Sequence, residues 1–97
     1  MPHCISLFRY TQKGVESLKE GPARLDAAKK ALEAAGGKFL GFYLTLGRYD
    51  AVAIAELPDD ATAAKVVLGS ATQGSVRFET LRAFTEGEYR RIIASIS

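Results

Sequence analysis

The chain has 97 residues, a length that suits one compact domain over residues 1–97 and leaves no room for a second. Hydrophobic residues make up 47% of it and charged residues 25%, as in an ordinary globular protein, and the formal net charge is only +2. That charge is too small to predict binding to nucleic acid or to an anionic membrane.

Cysteine and histidine each occur once, which limits the chemistry that the chain can support. Cys4 has no partner for an intrachain disulfide, which fits a reducing compartment. No segment resembles a secretory signal or approaches the ~20 apolar residues that cross a bilayer, so we expect a soluble, cytoplasmic protein. With His3 as the only histidine, we predict no metal site, no cofactor and no histidine-based catalytic triad.

The first elements are a strand and two helical segments. Residues 4–11, CISLFRYT, alternate loosely and are rich in aromatic and β-branched residues, as is typical of a strand. Thr11 can cap a helical segment over residues 12–20. Gly21-Pro22 separates this segment from a second helix, because proline fits the first turn. Gly36-Gly37 ends the second helix.

A hairpin and a third helix follow. Residues 38–46, KFLGFYLTL, are apolar enough for a strand covered on both faces, and residues 50–57, DAVAIAEL, pair with it. Asp59 and Asp60 supply an N-cap carboxylate for a helix near residues 61–72. This interpretation outweighs a metal-binding pair, since no third ligand lies nearby in sequence.

The remaining residues complete the order βαββαβ. Residues 75–84, SVRFETLRAF, predict a fourth strand, and residues 85–88, TEGE, match a capping box. A short last helix then has one apolar face, made of Tyr89, Ile92, Ile93 and Ile96. The predicted fold class is α+β and ferredoxin-like, with a four-stranded antiparallel sheet and a short C-terminal helix.

In such a fold both main helices cover one face of the sheet. We expect the aliphatic strand residues to lie under the helices, and in the first and third strands these are Ile5, Leu7, Val52 and Ile54. The other face would then be open, and it would carry small alanines and the aromatic residues Phe8, Tyr10, Phe39 and Tyr43.

An open face of this kind is too apolar to be left in water. We therefore predict a homodimer through this face, in which two facing sheets form a barrel, and further association into a higher oligomer stays open. RNA is the weaker occupant, because the third strand has no aromatic residue and the basic-aromatic signature is absent. A small apolar ligand is compatible with the dimer.

The turn between the second and third strands carries the best candidate site. Gly47 tolerates positive φ, Asp50 can accept backbone hydrogen bonds, and Tyr49 can shield the end of the hairpin. The same turn offers a cation, a phenol and a carboxylate at one sheet edge. The predicted ligand-binding residues are Tyr10, Tyr43, Arg48, Tyr49 and Asp50. Packing at an interface is the alternative role for the tyrosines.

The segment GFYLTLGRYD, followed by PDD, resembles the GYD-domain family, whose name comes from this Gly, Tyr and Asp. The likeness extends through GPARLDAAKKALEAAGGKF and GSVRFETLRAFT and so covers nearly the whole chain. It implies the dimeric α/β-barrel superfamily, which includes cofactor-free monooxygenases, isomerases and ligand-sensing domains. Three functions stay open: a small-molecule binding or sensing module, a cofactor-free enzyme that uses tyrosine or His3 for proton transfer, and a structural dimerisation domain.

Overall fold

The fold is given by a computed structural model, which describes residues 1–96. One antiparallel sheet has the order β2-β3-β1-β4 and consists of β1 (His3–Tyr10), β2 (Lys38–Leu44), β3 (Ala51–Glu56) and β4 (Val76–Ala83). The helices are α1 (Gln12–Glu16), α2 (Gly21–Ala34), α3 (Asp60–Ala71) and α4 (Glu86–Ala94), with a 3₁₀ turn at Leu18–Glu20. The predicted α+β, ferredoxin-like plan is thus confirmed.

Helices α3 and α4 begin at the side chains that the sequence predicts. Asp59 Oδ1 accepts from the backbone N–H of Thr62 at 2.7 Å. In the capping box, Thr85 N donates to Glu88 Oε1 at 2.8 Å and Glu88 N donates to Thr85 Oγ1 at 3.2 Å. Because these backbone hydrogen bonds favour the ionised carboxylate, the pKa values of Asp59 and Glu88 lie below their ordinary values.

The core lies between the sheet and helices α2 and α3. Its buried cluster consists of Cys4, Leu32, Ala55, Leu57 and Ala63, and Phe39 and Val66 pack against it. Because the cluster joins strand residues to residues of α2 and α3, it identifies which face of the sheet the helices cover. Burial raises the pKa of the Cys4 thiol, so the thiol is protonated and unreactive at neutral pH.

For β1 and β3, the helix-covered face is the opposite of the one that the sequence predicts. Alternation along β1 places Phe8 and Tyr10 on the same face as Cys4, and Ala51 pairs with Phe8 across the strands. Phe8 is only 9% exposed, and Ala51 is fully buried. The prediction is wrong because small alanines let the helices approach β3 closely, while the Phe8 ring fills the remaining space.

A bulge in β2 reverses the alternation there as well. The pairing of β2 with β3 shifts between Phe39 and Gly41, which leaves Leu40 as the extra residue. Phe39 therefore packs on the core, whereas Tyr43 lies on the open face, across from Val52. Strict alternation predicts both Phe39 and Tyr43 on the face away from the helices. Because of the bulge, only the prediction for Tyr43 is confirmed.

Helix α4 stands apart from the rest of the molecule. It barely contacts the other elements, and the whole molecule is elongated, measuring 53 × 31 × 18 Å. Its apolar residues Tyr89, Ile92 and Ile93 are all exposed. Ile96, which the sequence predicts on the same apolar face, is also exposed but lies beyond the end of the helix at Ala94. Among the described helices, none has both the length and the apolar character that a bilayer crossing requires.

Candidate functional site

The face of the sheet that turns away from the helices is largely aliphatic. Because cross-strand partners share a face, Ile5 lies beside Ile54 and Leu81, and Leu7 lies beside Val52. We call this surface the open face, and its apolar members are Ile5, Leu7, Tyr43, Val52, Ile54 and Leu81. A contiguous apolar surface of this kind is typical of a contact with another molecule.

Charged residues border the open face at both ends. At one end, His3 Nε2 lies 3.0 Å from Glu56 Oε1. Nδ1 of His3 is buried and has no hydrogen-bond partner within residues 1–96. At the other end, Glu79 lies across from Leu7. Leu7 lies four positions after His3 along the extended strand, at a distance of about 14 Å. His3 is therefore too far from the loop end to act on a molecule bound there within one chain.

Residues 45–50 form a loop that lies over one end of the open face. Gly47 has a φ of 138°, which a side chain would strain, so the predicted turn glycine is confirmed. Thr45 closes the loop, since its N–H donates to Asp50 O at 2.9 Å and its Oγ1 donates to Tyr49 O at 2.6 Å. Strand β2 ends at Leu44, two residues earlier than predicted, because these loop bonds replace the pairing with β3.

Asp50 attaches the loop to the end of β1. Its backbone N–H donates to Phe8 O at 2.9 Å, and its Oδ2 accepts from the backbone N–H of Tyr10 at 2.9 Å. These two hydrogen bonds hold the loop to β1 beyond Phe8 and Ala51, the last residues of β1 and β3 that pair with each other. The Asp50 carboxylate thus completes the backbone hydrogen bonding of the sheet, as the sequence predicts for a turn aspartate.

Tyr49 connects the loop to β1 and β4. Its hydroxyl donates to Glu79 Oε2, and the guanidinium Cζ of Arg9 lies 5.1 Å from the centre of its ring. Arg9 Nε also donates to Arg48 O at 2.7 Å. The hydrogen bond to Glu79 raises the pKa of Tyr49 above its ordinary value of 10.0, so the phenol is protonated at neutral pH.

A shallow cleft of about 300 Å³ opens between the loop and the sheet. It is lined by Leu7, Thr45, Leu46, Arg48, Tyr49 and Val52. The strand residues make its floor aliphatic, while the exposed Arg48 takes part in none of the ion pairs found within residues 1–96. The volume falls at the small end of the range for ligand sites. This combination suits a small apolar group that carries an anionic end.

The structure brings some of the predicted site residues together and separates others. Arg48 and Tyr49 line the cleft, and Tyr43 lies across from Val52 in the cleft floor. Asp50 lies at the same loop but its carboxylate bonds to the backbone. Tyr10 lies on the helix-covered face, where its ring is near Gly14 of α1, so it does not reach the cleft.

Sequence reasoning missed the two cleft-floor residues, Leu7 and Val52. The alternating alanines of β3 are the signal that could have revealed them, because the small residues of a strand mark the side that the helices approach. Within residues 1–96, no three His, Cys, Asp or Glu side chains are grouped so as to hold a metal ion.

The motif, the fold and the loop geometry together define a member of one family. The model described as "GYD domain" matches residues 4–93, so the chain belongs to the GYD-domain family, as its resemblance predicts. Nearly the whole described chain takes part in that match.

A named protein and a solved structure, both from Thermus thermophilus, are similar to this chain. One, named "Glutamine synthetase and cystathionine beta-lyase binding protein", is 38% identical over 84 residues, which cover 86% of this chain and 88% of that protein. The other is the crystal structure of TTHA0845, which has a TM-score of 0.55 at 26% identity and covers 88% of this chain and 95% of its own.

Proposed function

We propose that this GYD-domain chain is a homodimeric binding module in which two copies meet through the open face. The observation that carries the proposal is the row of aliphatic side chains on that face, centred on Ile5, Leu7 and Ile54. Fully burying one such side chain is worth about 1.5–3 kcal/mol. Two sheets packed about 10 Å apart would bury all of these side chains at once and form the predicted barrel.

The charges at the two ends of the open face favour opposite strand directions in the two copies. At the loop end, Arg9 lies across from Arg77, a like-charge pair that is unfavourable by itself. At the other end, Glu56 provides a carboxylate beside His3. With opposite strand directions, the arginines of each copy face the end of the other that carries Glu56, His3 and Lys38, whereas parallel directions would place arginines against arginines.

The Thermus relative supports a binding function, because its name describes the binding of two enzymes. By analogy, a second protein is a candidate partner of the dimer. The alternative of a cofactor-free enzyme gains less support, because His3 lies at the far end of the face from the cleft and its Nε2 is paired with Glu56. The structural alternative, a domain that only dimerises, shares the same interface.

Placing a charge on the open face is expected to dissociate the dimer. In Leu81→Asp, the new carboxylate would be buried without a partner, so we expect the dimer dissociation constant to rise at least about tenfold. Leu81 is 43% exposed in the single chain, which therefore tolerates the change. The matched control is Leu18→Asp, since Leu18 is 50% exposed but lies on the 3₁₀ turn, away from the open face.

Native mass spectrometry across a concentration series measures this constant directly. The proposal requires a two-chain mass for the wild type and for Leu18→Asp, and mainly a one-chain mass for Leu81→Asp. A one-chain wild type, or equal dimerisation of the two variants, would contradict it. Circular dichroism checks that both variants are folded.

A second candidate function is the binding or sensing of a small molecule, and the cleft beneath the loop is the observation that favours it. Leu7 and Val52 supply an apolar floor, and Arg48 supplies a cation with no ion-pair partner within residues 1–96. Because the cleft opens on the open face, a second copy would cover it. Ligand binding and dimerisation would then be linked, which is the requirement for a sensor.

An anionic aromatic probe, anilinonaphthalene sulfonate, tests the cleft. We expect Arg48→Ala to weaken binding of the probe about fivefold, the effect of losing one charge-assisted contact. Arg90→Ala removes an exposed arginine on α4 and is expected to leave the affinity unchanged. The fluorescence titration would argue against a cleft site if both variants bound the probe as the wild type does.

A further inference from the structure

We propose that three arginines at the loop end of the open face, Arg9, Arg48 and Arg77, bind a phosphate monoester whose small apolar group lies in the cleft. These three residues are called the arginine cluster below. The proposal rests on the second candidate function, the binding of a small molecule in the cleft. It goes further in naming the class of ligand and two residues outside the cleft lining, Arg9 and Arg77.

Two members of the arginine cluster lie directly across from each other in the sheet. Arg9 of β1 pairs in register with Arg77 of β4, and the Cβ atoms of such a pair are about 5 Å apart. Arg9 is two positions from Leu7, so both arginines lie on the open face, and both are exposed. Like charges in this arrangement repel each other. An anion bound between them would remove that repulsion.

The described part of the chain supplies no carboxylate that neutralises the arginine cluster. None of its three members takes part in the ion pairs found within residues 1–96. The two carboxylates at this end of the sheet are bonded to other groups. Glu79 accepts from the hydroxyl of Tyr49, and Asp50 accepts from the backbone N–H of Tyr10.

The second copy in the proposed dimer would not neutralise the arginine cluster either. The facing end of that copy carries Glu56, which lies across from Lys38 in the register of β2 and β3. Oε1 of Glu56 also lies 3.0 Å from Nε2 of His3. A single carboxylate that already has a cation beside it leaves most of the charge of three arginines uncompensated.

Arg9 is held in an orientation that suits binding. Its Nε donates to Arg48 O at 2.7 Å, and its Cζ lies 5.1 Å from the centre of the Tyr49 ring. The hydrogen bond from Tyr49 to Glu79 raises the pKa of the phenol, and the charges of Arg9 and Arg48 oppose that rise, so both guanidinium groups lie near Tyr49. A guanidinium that is fixed through Nε presents its terminal N–H groups at a small further cost in side-chain entropy.

The cleft lies next to the arginine cluster. Leu7 of the cleft floor and Arg9 are two positions apart on the same face of β1, a distance of about 7 Å. Tyr49 lines the cleft and also stacks on Arg9, so its ring lies where the two regions meet. A ligand whose apolar part lies on Leu7 would therefore place a directly attached anionic group among the arginines.

Three arginines favour a phosphate over a carboxylate as that anionic group. One guanidinium is enough to bind a carboxylate through two parallel hydrogen bonds. A phosphate monoester carries a charge of about −1.5 to −2 at neutral pH and has three strong acceptor oxygens. It can therefore accept hydrogen bonds from several guanidinium groups at once, and its charge matches the excess at this site.

An NMR titration of isotope-labelled wild-type protein with three probes tests the assignment. Phenyl phosphate has the apolar ring and the doubly charged group, benzenesulfonate has the ring and a single charge, and inorganic phosphate has no ring. The titration is carried out above the second pKa of the phosphate, about 6. We expect phenyl phosphate to bind at least about fivefold more tightly than either of the other probes.

A pair of variants locates the phosphate. Arg77→Gln is expected to weaken the binding of phenyl phosphate about fivefold and that of benzenesulfonate less than about twofold, because Arg77 contacts only the additional charge. The matched control is Lys30→Gln, which removes an exposed positive charge from α2 on the other side of the sheet. It is expected to leave the affinity for every probe unchanged.

Two results would overturn the phosphate site. One is equal affinity of the wild type for phenyl phosphate and benzenesulfonate. The other is a preference for phenyl phosphate that persists in Arg77→Gln. If either occurs while binding of anilinonaphthalene sulfonate still depends on Arg48, the cleft stands and the phosphate site alone fails. If none of the probes binds in either experiment, the cleft and the phosphate site fail together.

Discussion

Gly14→Ala is expected to lower the free energy of unfolding by about 3 kcal/mol, at the upper end of the usual cost of overpacking. A Cβ at this position would lie far inside the van der Waals contact distance of the carbonyl oxygen of Ser75. That oxygen accepts from the backbone N–H of Thr11 at 3.1 Å, and Lys13 Nζ donates to Gln73 O at 2.9 Å. Helix α1 is therefore held against the loop before β4, and it cannot move aside without losing these bonds.

Urea denaturation followed by circular dichroism measures this loss. The matched control is Gly69→Ala in α3, where an added Cβ meets no atom within 4 Å. That variant is expected to be as stable as the wild type or more stable by up to about 1 kcal/mol, because alanine is the better helix former. If Gly14→Ala instead unfolded at the wild-type midpoint, the close packing of α1 against Ser75 would be refuted.

Asp50→Ala is expected to lower the free energy of unfolding by about 2 kcal/mol, within the range for hydrogen bonds to a charged group. The substitution removes the acceptor, at 2.9 Å, for the backbone N–H of Tyr10. That N–H would be left partly buried without a partner, and the loop would lose one of its two attachments to β1. The midpoint of urea denaturation, at constant protein concentration, gives the difference.

Two further variants separate the structural role of Asp50 from a ligand-binding role. Asp50→Asn keeps an oxygen acceptor for Tyr10 N–H and is expected to lose about half as much stability. Arg48→Ala is expected to lose almost none, because the Arg48 side chain is exposed and forms none of the ion pairs found in the described part of the chain. An Asp50→Ala protein of full stability would show that the carboxylate serves something other than the sheet.

The elements of this fold are predictable from the sequence because their signals are local. Asp59 and the pair Thr85 and Glu88 mark helix starts through bonds to backbone groups three residues away. The turn at Gly47 is equally local, since it follows from the φ of one residue. For the same reason, the loop that carries Arg48 and Tyr49 could be singled out before the fold was known.

The face of each strand that the helices cover is not predictable from such local signals. In β1, apolar side chains lie on both faces of the strand, so alternation alone does not show whether Phe8 or Leu7 faces the helices. That choice depends on how closely α2 and α3 approach the sheet, and hence on Ala51 and Ala55, which lie far from β1 in sequence. The misplacement of Tyr10 in the candidate site follows directly from this choice.

The two faces of β3 differ in the substitutions that they tolerate, because alanines lie beneath the helices on one face only. At Ala51 and Ala55 the limit is size, since both side chains are buried and a larger one would push the helices off the sheet. At Val52 and Ile54 the limit is polarity, since these positions have room for other apolar shapes and, in the proposed dimer, would meet the apolar face of the second copy. Among natural variants of this strand, changes should therefore alternate residue by residue between conservation of volume and conservation of hydrophobicity.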